Sequence, residues 1–144
     1  MRPVAEHVVP IDVLTDWTLD EPHAVLLSDE PGTTALALTA HRDDADQRCV
    51  VLVWRRSCWA SLRHGPVSVH PLYEHGLRDV LGVGIVRQSE RVAELAWRAG
   101  GELVHHIVLL NDGTIEVVAE VLTVERIPGT TAEAAAAALA TNSL

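Results

Sequence analysis

The chain has 144 residues, of which 48% are apolar and 22% are charged, an ordinary globular composition at about the length of one domain. This excludes a disordered chain, and we expect a single domain over residues 1–144. The formal net charge of −9 repels phosphate backbones, so we expect no nucleic-acid partner. No apolar run approaches the roughly 18 residues of a membrane helix, and the charged, proline-containing N-terminus differs from a signal peptide. These features predict a cytoplasmic protein without a membrane partner.

Motifs for cofactors and metals are missing from the sequence. The two cysteines, Cys49 and Cys58, form no C-x-x-C pair, which favours reduced thiols over a sulfur-based zinc site. Gly82-Val83-Gly84 lacks the third glycine of a dinucleotide-binding fingerprint, and the Gly-x-Ser-x-Gly pattern of many hydrolases is absent. We therefore expect neither a metal nor a cofactor.

The first half of the chain predicts an irregular lead-in followed by strands. Residues 1–22 hold three prolines and scattered acids, with at most one short helix near residues 11–17 and with Trp17 docked on the domain. Residues 24–27 form a short apolar run, and residues 33–40 alternate as a half-buried strand does. The aspartates of residues 42–47 lack calcium-loop spacing and predict a solvated loop.

The run from Cys49 to Leu62 is β-rich but exceeds the usual strand length of about five or six residues. It should therefore bend near residues 55–57 or divide into two strands. Apolar side chains occupy both faces of its first half, which is typical of a central strand. Farther on, Pro71 and Gly82 suit the two ends of a helix that Gly76 makes short or irregular, and a strand follows at residues 83–87.

Two further helices are predicted. Ser89 is a suitable N-cap for a helix that ends before Gly100-Gly101 and packs on one face of the sheet. Thr130 and Glu133 form a capping box that opens an alanine-rich tail helix within residues 130–144. Because alanine has little side-chain surface to bury, we expect this tail to be loosely docked or frayed.

The strongest local signal is a β-hairpin, in which two β-rich runs flank Asn111-Asp112-Gly113. A three-residue loop at 111–113 would place His106 diagonal to Glu116 and Glu120. A two-residue loop at 112–113 would instead place His105 opposite Glu120. Both registers bring one imidazole near a carboxylate.

Such a pair is the candidate catalytic group, with His105 or His106 and Glu120 exchanging a proton and His70 nearby. The competing interpretation is a cross-strand polar pair, with the other histidine hydrogen-bonded in the core. His70 and His75 could also ligate a metal, but on a helix they would lie ~140° apart, so we expect no metal site there.

Aromatic residues supply the candidate ligand site. Trp54, Trp59 and Trp97 predict either core and rim packing or the wall of an apolar pocket. The candidate ligand-binding residues are Trp54, Trp59, Tyr73 and Glu116.

Several short motifs share one resemblance: Gly65-Pro66, His70-Pro71-Leu72, Gly76-Leu77, Ser89 with Ala93-Glu94-Leu95, His106-Ile107, and Asp112-x-Thr114-x-Glu116-x-x-Ala119. Together they resemble a loosely defined family of small bacterial proteins of unassigned function. The resemblance covers roughly the C-terminal half. It implies that the His70-Pro71-Leu72 segment and the hairpin belong to one unit, and it implies no activity. The family is aromatic-rich around the hairpin, whereas this chain contains no Phe.

The sequence as a whole predicts an α+β fold: a mostly antiparallel sheet of about five to seven strands, open or barrel-like, with one or two helices packed on it. The expected function is a domain that binds a small molecule or a protein partner, with a homodimer as one way to cover an apolar face. The alternative is a cofactor-independent enzyme, namely a cyclase, isomerase or hydrolase of secondary metabolism, with a His/Glu acid–base pair in a sheet-lined pocket.

Overall fold

The computed structural model describes residues 5–13, 24–39 and 48–142 and shows the α+β fold that the sequence predicts. These residues form seven strands and two α-helices, with three short 3-10 turns between β4 and β5 and one after α1. In chain order they are β1 (His7–Ile11), β2 (Val25–Ser28), β3 (Thr33–Leu38), β4 (Cys49–His64), β5 (Val83–Arg87), α1 (Glu90–Leu95), β6 (Val104–Leu110), β7 (Gly113–Ile127) and α2 (Thr131–Asn142).

The strands form one antiparallel sheet in the order β1-β5-β6-β7-β4-β3-β2. Within the described part of the chain β1 and β2 are its two edges, so the sheet stays open and the barrel-like alternative does not occur. The long strands β4 and β7 pair from Cys49↔Ile127 to His64↔Gly113, and the register shifts between Ser57 and Trp59. Arg56 takes a left-handed backbone with φ of 53° there, so the predicted bend is confirmed within a single strand.

Alternation along the strands divides the buried side chains into separate clusters. The largest cluster lies on one face and is built from β3 to β7, with Leu36, Leu52, Trp54, Val108 and Val117 among its members. The opposite face of β3 and β4 packs against α2 through small residues: Ala35, Ala37, Val51, Val53, Ala134, Ala135 and Ala138. A further cluster joins β1, β5 and β6 to the turns after β4: Val8, Leu72, Leu77, Val80, Val86 and Ile107.

Both helices pack on the sheet, but to different depths. Helix α1 ends at Leu95, continues as a 3-10 turn over Ala96–Arg98, and lies against β6 without burying any residue completely. The alanine-rich α2 is docked more closely than expected, because its alanines face other small side chains on β3 and let helix and sheet approach each other. The expectation of a loosely held tail is therefore wrong.

The segment between β4 and β5 forms three 3-10 turns, Val67–Val69, Tyr73–His75 and Leu77–Asp79, rather than a helix. Gly76 has φ of 102°, and a Cβ there would lie 2.3 Å from the carbonyl oxygen of Val8. Only glycine fits this contact, which breaks the helix and fixes the segment against β1. That edge strand itself occupies part of the predicted irregular lead-in.

Three expectations lie outside the described residues: most of the short helix near 11–17, the docking of Trp17, and the solvated loop at 42–47. Among the residues that are described, no helix has both the length and the apolar character needed to cross a membrane.

The small-residue packing of α2 is testable. Ala138→Leu forces a larger side chain against β3 and should lower the free energy of unfolding by about 1–3 kcal/mol, as measured by urea denaturation. Ala137→Leu, on the exposed side of the same helix, should change it by less than about 0.5 kcal/mol. Equal effects would show that α2 is not docked through its buried alanines.

Candidate functional site

The hairpin between β6 and β7 adopts neither of the two registers considered from the sequence. Leu110 pairs with Gly113, so the loop consists of Asn111 and Asp112. His105 therefore pairs with Val118, and Ile107 pairs with Glu116. Because side chains alternate along a strand, His105 and Glu116 share one face as diagonal neighbours. His106 points to the opposite face.

Glu116 lies between two histidines from different parts of the chain. Its Oε1 is 2.9 Å from Nε2 of His105 on β6, and its Oε2 is 3.0 Å from Nε2 of His70 in the segment after β4. The three side chains are almost completely buried, with 11% of Glu116 and 4% of each histidine exposed. We call these residues, together with Ser89, the Glu116 network.

The outer nitrogens of the two imidazoles have partners that fix the positions of their hydrogens. The backbone N–H of Leu72 donates to Nδ1 of His70 at 3.0 Å, so His70 carries its hydrogen on Nε2 and donates it to the carboxylate. For His105, Nδ1 lies 2.7 Å from Oγ of Ser89. A hydroxyl can donate or accept, so it is the carboxylate, an acceptor when ionised, that places a hydrogen on Nε2 of His105. Both imidazoles thus offer an Nε2–H to Glu116.

Glu116 is consequently held ionised. Burial alone would raise its pKa, but the hydrogen bonds from His105 and His70 outweigh burial and lower the pKa to about 2. A buried carboxylate is costly unless donors replace the lost water. Here two imidazole donors from separate elements do so.

The neighbouring His106 has a different environment on the other face of the sheet. Nε1–H of Trp54 donates to Nδ1 of His106 at 3.2 Å. Burial, followed by the charge of the nearby His105, lowers the pKa of His106 to about 4. His106 and the fully buried Trp54 therefore lie in the core, in a hydrogen-bonded pair of the kind that the competing interpretation described.

A cavity of about 500 Å³ opens above the carboxylate. We call it the Trp59 cavity; its lining includes Trp59 and Arg63 of β4, Pro71, Glu90, Arg91 and Glu94, along with His70, His105 and Glu116. The ring of Trp59 meets His105 edge-on, with centroids 5.9 Å apart. On the same indole the guanidinium carbon of Arg91 lies 4.4 Å from the ring centroid.

Four of the residues chosen from the sequence therefore meet at this cavity: His70, His105, Glu116 and Trp59. Tyr73 is not among the residues that line it.

Glu120, the carboxylate proposed for catalysis, does not reach His105. In the observed register Glu116 and Glu120 are both diagonal neighbours of His105, but the hydrogen bond of His105 goes to Glu116. Oε1 of Glu120 lies 3.6 Å from Nη1 of Arg56 instead. Trp97, expected at the core or rim, is 82% exposed.

Two residues of the site were missed by the sequence argument. Ser89 was recognised only as an N-cap, and that role is confirmed by a 3.1 Å hydrogen bond from the backbone N–H of Val92. Its second contact, with His105, depends on the antiparallel pairing of β5 with β6, which no local pattern specifies. Arg91 gave no signal beyond its position on an amphipathic helix.

No group of three or more His, Cys, Asp or Glu side chains among residues 5–13, 24–39 and 48–142 could hold a metal ion. The hydrogen bonds of the Glu116 network explain why its two histidines do not form a metal site. Both Nε2 atoms carry hydrogens directed at the carboxylate, so neither presents a lone pair to a cation.

Comparison with known proteins gives no match: no family model, no curated protein and no solved structure matches this chain. The resemblance to small bacterial proteins therefore stays an expectation, and function is argued from the site.

Removing the charge of Glu116 should destabilise the fold. Glu116→Gln replaces one acceptor oxygen by an NH₂ group that faces an imidazole N–H, and we expect a loss of about 1–3 kcal/mol in the free energy of unfolding. The control is Glu120→Gln, whose arginine partner is 73% exposed and whose loss should stay below about 1 kcal/mol. Equal losses in urea denaturation would contradict a special role for Glu116.

The low pKa of His106 predicts a pH dependence of stability. Between pH 6.5, the ordinary value, and about 4, the unfolded chain binds a proton at His106 that the folded chain does not. Stability is therefore full above this window and falls as the pH decreases through it, by on the order of 3 kcal/mol.

Urea unfolding at pH 7 and pH 4.5 measures this loss. His106→Gln keeps an acceptor for Trp54 and should make the loss smaller, whereas His75→Gln, at an exposed site, should leave it unchanged. A loss of undiminished size in His106→Gln would contradict the assignment.

Proposed function

We propose that the protein binds a small organic cation, of the protonated-amine class, in the Trp59 cavity. The observation that carries this proposal is an ionised carboxylate, Glu116, at the base of a cavity with an indole wall. The cavity volume of about 500 Å³ falls in the range of small-molecule sites.

Charge supports a cationic ligand. Among the described residues, the cavity is lined by four carboxylates, Glu6, Glu90, Glu94 and Glu116, and by two guanidinium groups, Arg63 and Arg91. A cavity lined by an excess of one sign concentrates ligands of the other sign. The formal charge of −9 on the whole chain acts in the same direction.

The indole of Trp59 supports the same class of ligand, because its face already holds a cation. Arg91 lies over the ring and is tethered by a 3.2 Å contact with Glu94. Its side chain is 43% exposed, so it can be displaced at little cost. A ligand ammonium would take over the cation–π contact that Arg91 makes in the unliganded protein.

Glu116 retains acceptor capacity for such a ligand. A carboxylate has about four lone-pair positions, and the two imidazoles use one on each oxygen. An ammonium N–H that enters the cavity can use another. Both the charge and the hydrogen-bond donors of an amine are therefore complementary to the site.

A matched pair of probes tests the proposal: 2-phenylethylamine and 3-phenylpropionate share a shape and differ in the sign of their charge. We expect the amine to raise the melting temperature in proportion to its occupancy and the acid to have no effect. Calorimetric titration gives the affinities. Tighter binding of the acid, or equal binding of both probes, would refute the proposal.

Two variants locate the binding. Trp59→Leu should abolish amine binding, whereas Trp97→Leu, at an exposed site outside the lining residues, should retain it. Arg91→Gln frees the face of the indole and should strengthen amine binding by about two- to fivefold, the equivalent of one exposed cation–π contact. Weaker binding in Arg91→Gln would show that the arginine recruits the ligand, which contradicts a cationic ligand.

A further inference from the structure

Ser89 lies at a strained connection between strand β5 and helix α1. The preceding residue, Gln88, has a left-handed backbone with φ of 55°, a conformation that costs free energy for any residue other than glycine. Such strain persists where the surrounding structure holds a side chain in place, and it is concentrated at functional sites. Here it places the hydroxyl of Ser89 against His105.

The hydroxyl of Ser89 donates its hydrogen bond to His105. Oγ of Ser89 accepts the backbone N–H of Val92 at 3.1 Å. On the imidazole, Nε2–H is directed at Glu116, which leaves Nδ1 as the acceptor for the O–H of Ser89 at 2.7 Å. The order is therefore hydroxyl, imidazole and ionised carboxylate.

This is the arrangement by which a weak nucleophile is activated: a hydroxyl within hydrogen-bond reach of a base that a third group orients. The hydroxyl faces Nδ1 and the carboxylate faces Nε2. His70 holds the second oxygen of Glu116, and the edge contact of Trp59 fixes the plane of the His105 ring. The base is thus held in position from two sides.

Ser89 also faces open space. Together with His105 it lines a second cavity of about 490 Å³, the Ser89 cavity, whose lining does not include Trp59 or Glu116. Its wall combines apolar side chains, namely Ile85, Val86, Val92, Ala93, Leu103 and Val104, with the polar Arg87, Gln88, Glu90 and Glu102. The apolar part of this lining can hold an apolar acyl group.

We propose that Ser89 is a nucleophile towards carboxylic esters that carry an apolar acyl group, with His105 as the general base. Glu116 and His70 are positioning residues. This reaction would take place in the Ser89 cavity, and it requires no ligand in the Trp59 cavity.

The reaction is the hydrolysis of an ester, with water as the second reactant. As Oγ of Ser89 bonds to the acyl carbon, its proton passes to Nδ1 of His105. The carbon–oxygen bond of the ester then breaks, and the departing alcohol takes the proton from His105. Water attacks the acyl-serine next, gives one proton to His105, and releases the carboxylic acid as Ser89 regains its proton.

A fluorophosphonate, which forms a covalent bond with an activated serine, tests the proposal on the intact protein. We expect one phosphonyl group per chain, located on Ser89 by peptide mass mapping. Ser89→Gly removes the hydroxyl, leaves a residue that is tolerated at helix N-caps, and should abolish the adduct. Ser68→Gly, which removes an exposed serine that does not line the Ser89 cavity, should leave it unchanged.

Hydrolysis of p-nitrophenyl butyrate separates positioning from structure. Glu116→Gln, assayed at a temperature where circular dichroism shows it folded, should lower kcat at least about tenfold with little change in KM, because the orientation of the base is lost. A merely structural Glu116 would leave kcat per folded molecule unchanged.

Labelling of Ser89 and binding of the amine, when measured on one sample, test the two proposals separately. Folded wild-type protein without an adduct on Ser89, or with equal labelling of Ser68, overturns the nucleophile, whether or not the amine binds. An adduct on Ser89 without amine binding overturns only the proposed ligand class.

Discussion

The hydrogen bonding of one buried carboxylate joins the parts of this protein that form the site. Glu116 belongs to β7, and its two oxygens accept hydrogens from β6 and from the segment between β4 and β5. Leaving this carboxylate unpaired would cost several kcal/mol, so both imidazoles must be in place. The fold therefore holds His70 and His105 in the orientations that give the site its chemistry.

The register of the β6–β7 hairpin decides which histidine has which role. A slip of one residue would turn His105 to the core and His106 to Glu116, since successive side chains on a strand face opposite sides. In the observed register, His105 lines both the Trp59 cavity and the Ser89 cavity. His106 accepts a hydrogen bond from Trp54 within the core, and burial keeps its pKa low. Two adjacent residues of the same type thus have different protonation chemistry.

Local features of the fold could be predicted from the sequence because each depends on neighbouring residues. The bend of β4 at Arg56, the presence of a hairpin between β6 and β7, though not its register, and the N-cap at Ser89 all belong to this group. The docking of α2 could not be predicted, because it depends on Ala35 and similar small residues that lie far away in the chain. The irregular segment at residues 67–81 likewise depends on the approach of Gly76 to β1.

The candidate site was predictable in its members but not in their connections. His70, His105, Glu116 and Trp59 were all selected, because imidazoles and carboxylates can exchange protons and an indole can form the wall of a pocket. Their partners could not be derived, since the contact between His70 and Glu116 spans 46 residues. The position of Ser89 relative to the imidazole follows from strand pairing alone.

The chemistry of the site depends on the ionised state of Glu116, which a ¹³C NMR titration of its side-chain carboxyl carbon measures. If the two imidazoles hold the carboxylate as described, its resonance should remain that of the ionised form down to a midpoint near pH 2. A midpoint at or above the ordinary value of 4.5 would mean that burial dominates and that Glu116 takes up a proton in the fold. The account of the site would then be wrong.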